Sequence, residues 1–325
     1  MRPMKKTMMT KLLSLLLAVG LLLSLAACGE KDDGKYTIGI CQLAPHEALD
    51  AATQGFKDAV IAALGEENVT FLEQNAAGEN NMCTTIVNDF VSKNVDLIMA
   101  NATGALQAAA NATLEIPILG TSITEYGVAL SLENFNGTVG GNISGTSDLA
   151  PLEEQAQMIL DLVPTAQTVG MLYCSAEPNS AYQVQVVKAY LENKGITVED
   201  FSFSASSDVA MVAEAAAAAC DAIYIPTDNT AATCTETINN VVLPTKTPII
   251  AGEAGICQGC GIATLSISYY ELGKQTGEMA AKILKGEADI SEMAIAYDPN
   301  PVKKYNAALC EELGIEIPEG YEPLG

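Results

Sequence analysis

The sequence predicts an α/β protein built as two doubly wound parallel-sheet lobes with a ligand cleft at the hinge. Short β-branched apolar runs alternate with helical periodicity from Tyr36 onward, and that alternation is written twice. With a leader of 27 residues set aside, the remainder of the 325-residue chain is too long for one core and suits two domains. Strands of about 4 to 8 residues separated by helices make a parallel sheet covered on both faces.

The leader comes first. Arg2, Lys5, Lys6 and Lys11 precede an apolar stretch over 12–23 broken by one serine, and small residues lead to Cys28. These are the charged, apolar and small-residue parts of an export signal. The apolar part is shorter than the ~20 residues a membrane-crossing helix needs. The ending Leu25-Ala26-Ala27-Cys28 resembles a bacterial lipoprotein box. Residues 1–27 are therefore read as a lipoprotein signal peptide, Cys28 as the lipidated first residue, and 28–35 as a charged tether. Ordinary cleavage beside an incidental cysteine is the plainer alternative.

The leader holds four of the 16 basic residues and none of the 40 acidic ones. The mature chain thus carries 12 against 40, a net charge of −28. Such a chain is repelled by nucleic acid and by anionic headgroups, so no nucleic-acid partner is expected and membrane attachment rests on lipid. Eight cysteines follow Cys28 without regular spacing, which argues against a disulfide framework. Cys257-Gln-Gly-Cys260 supplies half a zinc site with no second pair to complete it. It is read as a loop disulfide or as two inert thiols, since the strand-then-helix placement of a redox motif is missing. No metal and no cofactor is expected.

The elements run as follows. YTIGICQL (36–43) reads as a strand, and HEALDAATQGFKDAVIAALG (46–65) as a helix closing on Gly65. VTFLEQNA, a helix over 80–93, VDLIMANA, a helix over 103–113 and PILGTS complete the first set. The second set is TVGMLYC, a helix over 179–195, TVEDFSF, an alanine-rich helix over 207–220, AIYIPTD, a helix over 229–242 and TPIIAGE. Residues 95–103 lie over 220–228, placing Thr103 opposite Asp228. Residues 116–122 lie over 247–253, placing Ser122 opposite Glu253, and Gly39 matches Gly170.

Ligands of such sheets sit beyond the carboxyl ends of the strands. The expected lining is therefore 42–46, 102–103, 121–126, 174–180, 227–230 and 253. Its candidate ligand-binding residues are Gln42, His46, Thr103, Thr121, Ser122, Tyr126, Asn179, Ser180, Asp228, Asn229, Thr230 and Glu253. Lobe one offers hydroxyls at Thr103, Thr121 and Ser122, while lobe two offers the carboxylates of Asp228 and Glu253. That asymmetry suits a zwitterion such as an α-amino acid. Asp228 can instead serve only as an N-cap, and His46 can merely satisfy the first turn of its helix. Glu153 and Glu154 read as a solvated helix start, and Tyr269-Tyr270 as packing at the hinge. His46 is the single histidine, and no nucleophile elbow, phosphate loop or dinucleotide fingerprint occurs, so no enzyme is expected.

Taken together, HEALDAATQGF (46–56), QNAAG (74–78), VDLIMANAT, SDLAPLEEQ (147–155), IYIPTDNT (223–230), AGE (251–253) and YYELGKQTGEMAAKILKGE (269–287) resemble the tryptophan/tyrosine-type substrate-binding lipoproteins of ABC importers. The resemblance runs from about Tyr36 to Ile317. It implies a type I periplasmic-binding-protein fold of two lobes joined by three crossings, with an aromatic or other hydrophobic amino acid trapped between them. It implies a permease and an ATPase as partners, and a location on the outer face of the cell membrane. Many relatives have Thr-Asp-Pro where Thr124-Glu125-Tyr126 stands, and Asn-Pro where Cys174-Ser175 stands. Both departures fall on the expected cleft and bear on the identity of the ligand. Lobe one is expected to be 36–125 plus about 255–290, and lobe two 126–254 plus about 291–325. A ligand-presenting sensor, or a nucleoside- or sugar-binding protein of the same fold, is the alternative, with an extracellular enzyme the more remote one.

Overall fold

Two largely parallel sheets, one per lobe, organise the computed structural model, which describes residues 35–298 and 300–324. The signal segment, Cys28 and most of the tether lie outside the described residues. From Tyr36 onward the chain forms one compact unit.

The first lobe begins with β1 (Tyr36–Gln42), α1 (Glu47–Leu64), β2 (Val69–Asn75), α2 (Asn80–Ser92), β3 (Leu97–Asn101), α3 (Thr103–Ala112), β4 (Ile118–Ile123), α4 (Tyr126–Leu130) and β5 (Ile143–Ser147). The second holds α5 (Leu152–Leu162), β6 (Thr168–Cys174), α6 (Pro178–Asn193), β7 (Thr197–Phe203), α7 (Val209–Ala219), β8 (Ala222–Ile225), α8 (Asn229–Ala232), α9 (Thr235–Val242), β9 (Ile249–Ala251), α10 (Ala254–Cys260) and β10 (Ala263–Ser266). The chain returns to lobe one with α11 (Tyr269–Leu284) and β11 (Ala296–Tyr297). It ends in lobe two with β12 (Val302–Tyr305), α12 (Ala307–Leu313) and β13 (Glu322–Pro323).

The strand orders are β11-β5-β4-β3-β1-β2 and β13-β12-β10-β9-β8-β6-β7. β1, β3 and β4 stack Ile38, Ile40, Leu97, Met99 and Leu119 on one face, against Phe56 and Val60 of α1. The other face packs Ile98, Ala100 and Ile118 against Phe90 and Leu106. Both faces are dry, which is why these strands read as continuous apolar runs. α1 and α11 pack so closely that a Cβ on Gly273 would lie 1.9 Å from the Ala52 carbonyl oxygen, and one on Gly55 2.1 Å from that of Tyr270. Glycine is the residue that permits this approach.

The strand registers bear out the internal repeat. Gly39 pairs with Ile98 and Ile98 with Ile118; in lobe two Gly170 pairs with Ile223 and Ile223 with Ile249. These are the positions that the sequence superposes.

The lobe boundaries differ from expectation. β5 pairs with β4, so the first crossing falls at 148–150, not 125/126. β10 pairs with β9, which moves the second crossing from 254/255 to 267–268. β11 pairs with β5 and β12 with β10, so the third falls near 298–301 instead of 290/291. Hydrogen-bond partners decide these assignments, and β5 (ISGTS) carries too little apolar sequence to announce itself as a strand. The helix expected over 229–242 is broken at Thr233-Cys234 into α8 and α9. Among the described residues no helix is long and apolar enough to cross a membrane, and no cluster of potential metal ligands occurs.

Candidate functional site

The carboxyl ends of both sheets converge on a narrow pocket between the lobes, with an empty volume of about 280 Å³. Lobe one supplies His46 and Leu49 from the start of α1, Ser122 and Thr124 at the end of β4, Asp148 beyond β5, and Tyr269 at the start of α11. Lobe two supplies Asn179 from the first turn of α6, then Thr227, Asp228, Asn229 and Ala232 around α8, and Glu253 before α10. The lobes touch. His46 Nε2 lies 3.3 Å from Asn229 Oδ1 across the cleft. Asn229 Nδ2 donates to Glu177 Oε2 at 2.7 Å, so Oδ1 is the acceptor facing the imidazole, and His46 donates from Nε2. Burial lowers the His46 pKa, which suits that neutral form.

Three buried carboxyl groups surround the pocket, and no lysine or arginine is among its lining residues. Asp228 caps α8: Oδ1 accepts from Ala231 N at 2.8 Å, and Oδ2 from Cys174 N at 2.7 Å. Burial, reinforced by the Glu177 charge, still raises its pKa to about 7. Glu253 caps α10 by accepting from the amides of Gly255 and Ile256, and burial raises its pKa likewise to about 7. Asp148 Oδ2 accepts the Tyr269 hydroxyl at 2.9 Å, yet burial outweighs that bond and raises its pKa too. Hydrogen bonds offset only part of the cost of removing a carboxylate from water. A ligand cation would supply the rest.

Unpartnered atoms point to the same place. Six buried side-chain nitrogen or oxygen atoms lack a hydrogen bond among the described residues, and three of them belong to this pocket: Ser122 Oγ, Asp148 Oδ1 and Asn179 Oδ1. Ser122 also has φ of +55°, an uncommon conformation for a side chain other than glycine, asparagine or aspartate. Strain of this kind concentrates at ligand sites.

Of the residues expected from sequence, His46, Ser122, Asn179, Asp228, Asn229 and Glu253 line the pocket. The other six lie elsewhere. Gln42 is occupied behind it, donating to Ala44 O and Asp50 and accepting from Thr53. Thr103 is buried at the start of α3, and Thr121 Oγ1 lies 3.1 Å from Thr146 Oγ1 inside the lobe-one sheet. Tyr126 belongs to the lobe-one core and donates to Thr146 O, because α4 precedes the first crossing. Ser180 packs behind the lining, 3.5 Å from Thr227 O. Thr230 donates to Glu177 Oε1 and faces an outer groove between the lobes.

Leu49, Asp148, Ala232 and Tyr269 escaped the sequence reading, as did Glu177 as the support of this site. Glu177 accepts from the backbone and side chains of Asn229 and Thr230 at 2.7–3.0 Å. A signal for it existed: it stands seven residues beyond Gly170, as His46 does beyond Gly39. Asp148 had none, because the strand before it was not recognised. At the departures, the Glu125 side chain has a structural role, whereas at Cys174 the contact is made by the backbone. Glu125 caps α4, and the Cys174 amide supports Asp228. Cys257 and Cys260 are free buried thiols in the lobe-two core. Burial raises the pKa of both, the reverse of what a redox pair requires.

Two lobes, three crossings and a cleft at the strand ends define a binding protein of the periplasmic type I-like class. The family described as ABC transporter substrate binding protein matches residues 37–321, and this chain belongs to it. It is 35% identical over 303 residues to the tyrosine-binding protein of Clostridioides difficile, covering 86% of this chain and 85% of the relative. A domain of Streptococcus pneumoniae solved in complex with L-Trp overlays with a TM-score of 0.84 at 31% identity, over 88% of this chain and 96% of that one. The ligand-free, open structure of a substrate binding protein with adhesive properties from Clostridium difficile is 34% identical but overlays at only 0.68, over 89% and 99%. That relative is described as open. The present structure is the closed arrangement, as the His46–Asn229 contact requires. The family is one of solute-binding proteins, not of enzymes.

The raised carboxyl groups have a measurable consequence. The folded protein holds these protons more tightly than the unfolded chain, whose carboxyls titrate near ~4. Their stabilisation is complete below that value and is lost as pH rises through about 7. Between about pH 5 and pH 8, the melting temperature of ligand-free wild type is therefore expected to fall relative to that of Glu253→Gln, which has no such proton to lose. Parallel melting curves against pH would contradict the assignment.

Proposed function

We propose that this protein is the lipid-anchored, extracytoplasmic receptor of an ABC importer, closing its lobes on an aromatic amino acid and presenting it to a membrane permease and its ATPase. The observation that carries the reading is the trio Asp148, Asp228 and Glu253, buried around one pocket whose lining has no lysine or arginine. An ammonium group answers that charge, whereas a neutral sugar or nucleoside does not. The pocket is narrow in this closed arrangement. Leu49, Ala232 and the Tyr269 ring give it apolar wall, and the unpartnered Ser122 hydroxyl can donate to the ligand's carboxylate. The tyrosine-binding relative and the L-Trp complex support an aromatic side chain. Transport requires only that the ligand favour the closed state over the open one.

L-Tyrosine, L-tryptophan or L-phenylalanine at a hundredfold excess over its dissociation constant is expected to stabilise the mature domain by about 2.7 kcal/mol. Sugars and nucleosides are expected to leave it unchanged. Asp148→Asn makes the cleanest variant, since its amide oxygen can keep the Tyr269 bond while its NH₂ occupies the unpartnered position. Ligand-free stability should move by less than about 1 kcal/mol, and affinity should fall by about 2–5 kcal/mol. Unchanged affinity would refute the ammonium site. Asp228→Asn is a poorer choice, because it must turn an NH₂ toward one of two backbone N–H groups that Asp228 now accepts.

For the anchor, Cys28→Ala is expected to shift the protein from the membrane fraction to the soluble one. Identical fractionation of the two would contradict lipidation at Cys28.

A further inference from the structure

We propose that Asn179 is a specificity residue whose Oδ1, together with Asp148 Oδ1, receives the ligand's primary ammonium, so that this one group bridges the two lobes. The inference rests on the amino-acid reading above and adds how the amine is recognised.

The orientation of the Asn179 amide follows from its partners. Nδ2 lies 3.2 Å from Thr227 O and 3.3 Å from Glu177 Oε2. A backbone carbonyl is an acceptor only, and Glu177 Oε2 already accepts from Asn229, so the face turned to them must be the donor. Oδ1 is thereby committed to the pocket, where it is buried and accepts nothing. Gln183 clamps the same turn, donating to Asn179 O at 3.1 Å and to Thr227 O at 3.0 Å. The oxygen is presented by a rigid frame.

Asp148 Oδ1 is in the same condition on the opposite lobe. The two residues are joined by a short chain: Asp148 accepts from Tyr269, whose hydroxyl also interacts with the Thr227 side chain, and Thr227 O accepts from Asn179. Asp228 and Glu253 differ from this pair, because each of their carboxylate oxygens already takes a backbone N–H. They supply field, while Asp148 and Asn179 supply open acceptors. A phenol hydroxyl or an indole N–H has one hydrogen to give and can satisfy one of these oxygens. A primary ammonium has three and can satisfy both at once. Since Asp148 stands where the chain leaves lobe one and Asn179 belongs to lobe two, the bond pair forms when the lobes are closed. Binding the amine and closing the cleft are then the same event.

The test compares each amino acid with its deaminated analogue by calorimetry or displacement: L-tyrosine with 3-(4-hydroxyphenyl)propanoate, and L-tryptophan with indole-3-propanoate. In wild type the deaminated compounds are expected to bind at least about a hundredfold more weakly, since two buried acceptors stay unanswered. Asn179→Ala should weaken the amino acid about ten- to a hundredfold and leave the deaminated analogue within about twofold of its wild-type value. Asn179→Ser, whose hydroxyl can still donate to Thr227 O, should show the same selective loss and serves if the alanine variant does not fold. Equal losses for amine and deaminated analogue would overturn the proposal. So would a variant that equalised tyrosine and phenylalanine while sparing the amine preference, because Asn179 would then read the side chain. Wild-type protein that bound no amino acid would instead overturn the reading of function on which this one stands.

Discussion

Burying carboxyl groups without a counter-charge is the constraint on which the rest of this structure depends. Asp148, Asp228 and Glu253 are removed from water around one small pocket, and the help they receive comes from backbone amides and neutral hydroxyls. A fold optimised for stability alone would not place them there, because desolvating an anion costs more than such bonds return. The arrangement becomes favourable when a cation enters. Function and local instability are two aspects of the same three residues.

The architecture explains how so much acid is brought together. A duplicated parallel-sheet lobe directs its strand ends and helix starts at its twin, so that polar positions after β4, β8 and β9 meet across one cleft. Two of the acids double as N-caps, Asp228 for α8 and Glu253 for α10, and this ties the charge to rigid elements. The third stands on a crossing between lobes and is held by Tyr269, at the start of the helix that follows the next crossing. One of the three connections that must bend for the cleft to open therefore carries a pocket residue, and a second leads directly into one. Occupancy and hinge geometry are linked through one hydrogen bond.

Much of this was legible in the sequence, and the limits have physical causes. Strands buried on both faces, such as Leu97–Asn101, announce themselves as apolar runs, and Ser122 and Glu253, which the repeat superposes, both line the pocket. The strand Ile143–Ser147 did not announce itself. It is glycine-, serine- and threonine-rich because its hydroxyls are used inside the fold, where Ser144 bonds Met293 O and Thr146 meets Thr276. Missing that strand misplaced the first crossing and hid Asp148. Polar residues at strand ends also divide into those facing the cleft and those facing inward. Gln42 and Thr121 are polar for the sake of the interior network, which composition alone does not distinguish from a ligand contact.

The most direct test of the central claim is the number of protons exchanged when ligand binds, obtained by calorimetry near pH 7 in buffers of different ionisation enthalpy. Asp228 and Glu253, raised to about 7, are partly protonated in the ligand-free protein. An ammonium entering among them favours the ionised forms. Binding of an aromatic amino acid should therefore release protons, roughly one per ligand at most, with the release fading above about pH 8.5. Binding without proton release, or with proton uptake, would contradict a site whose buried carboxylates await a cation.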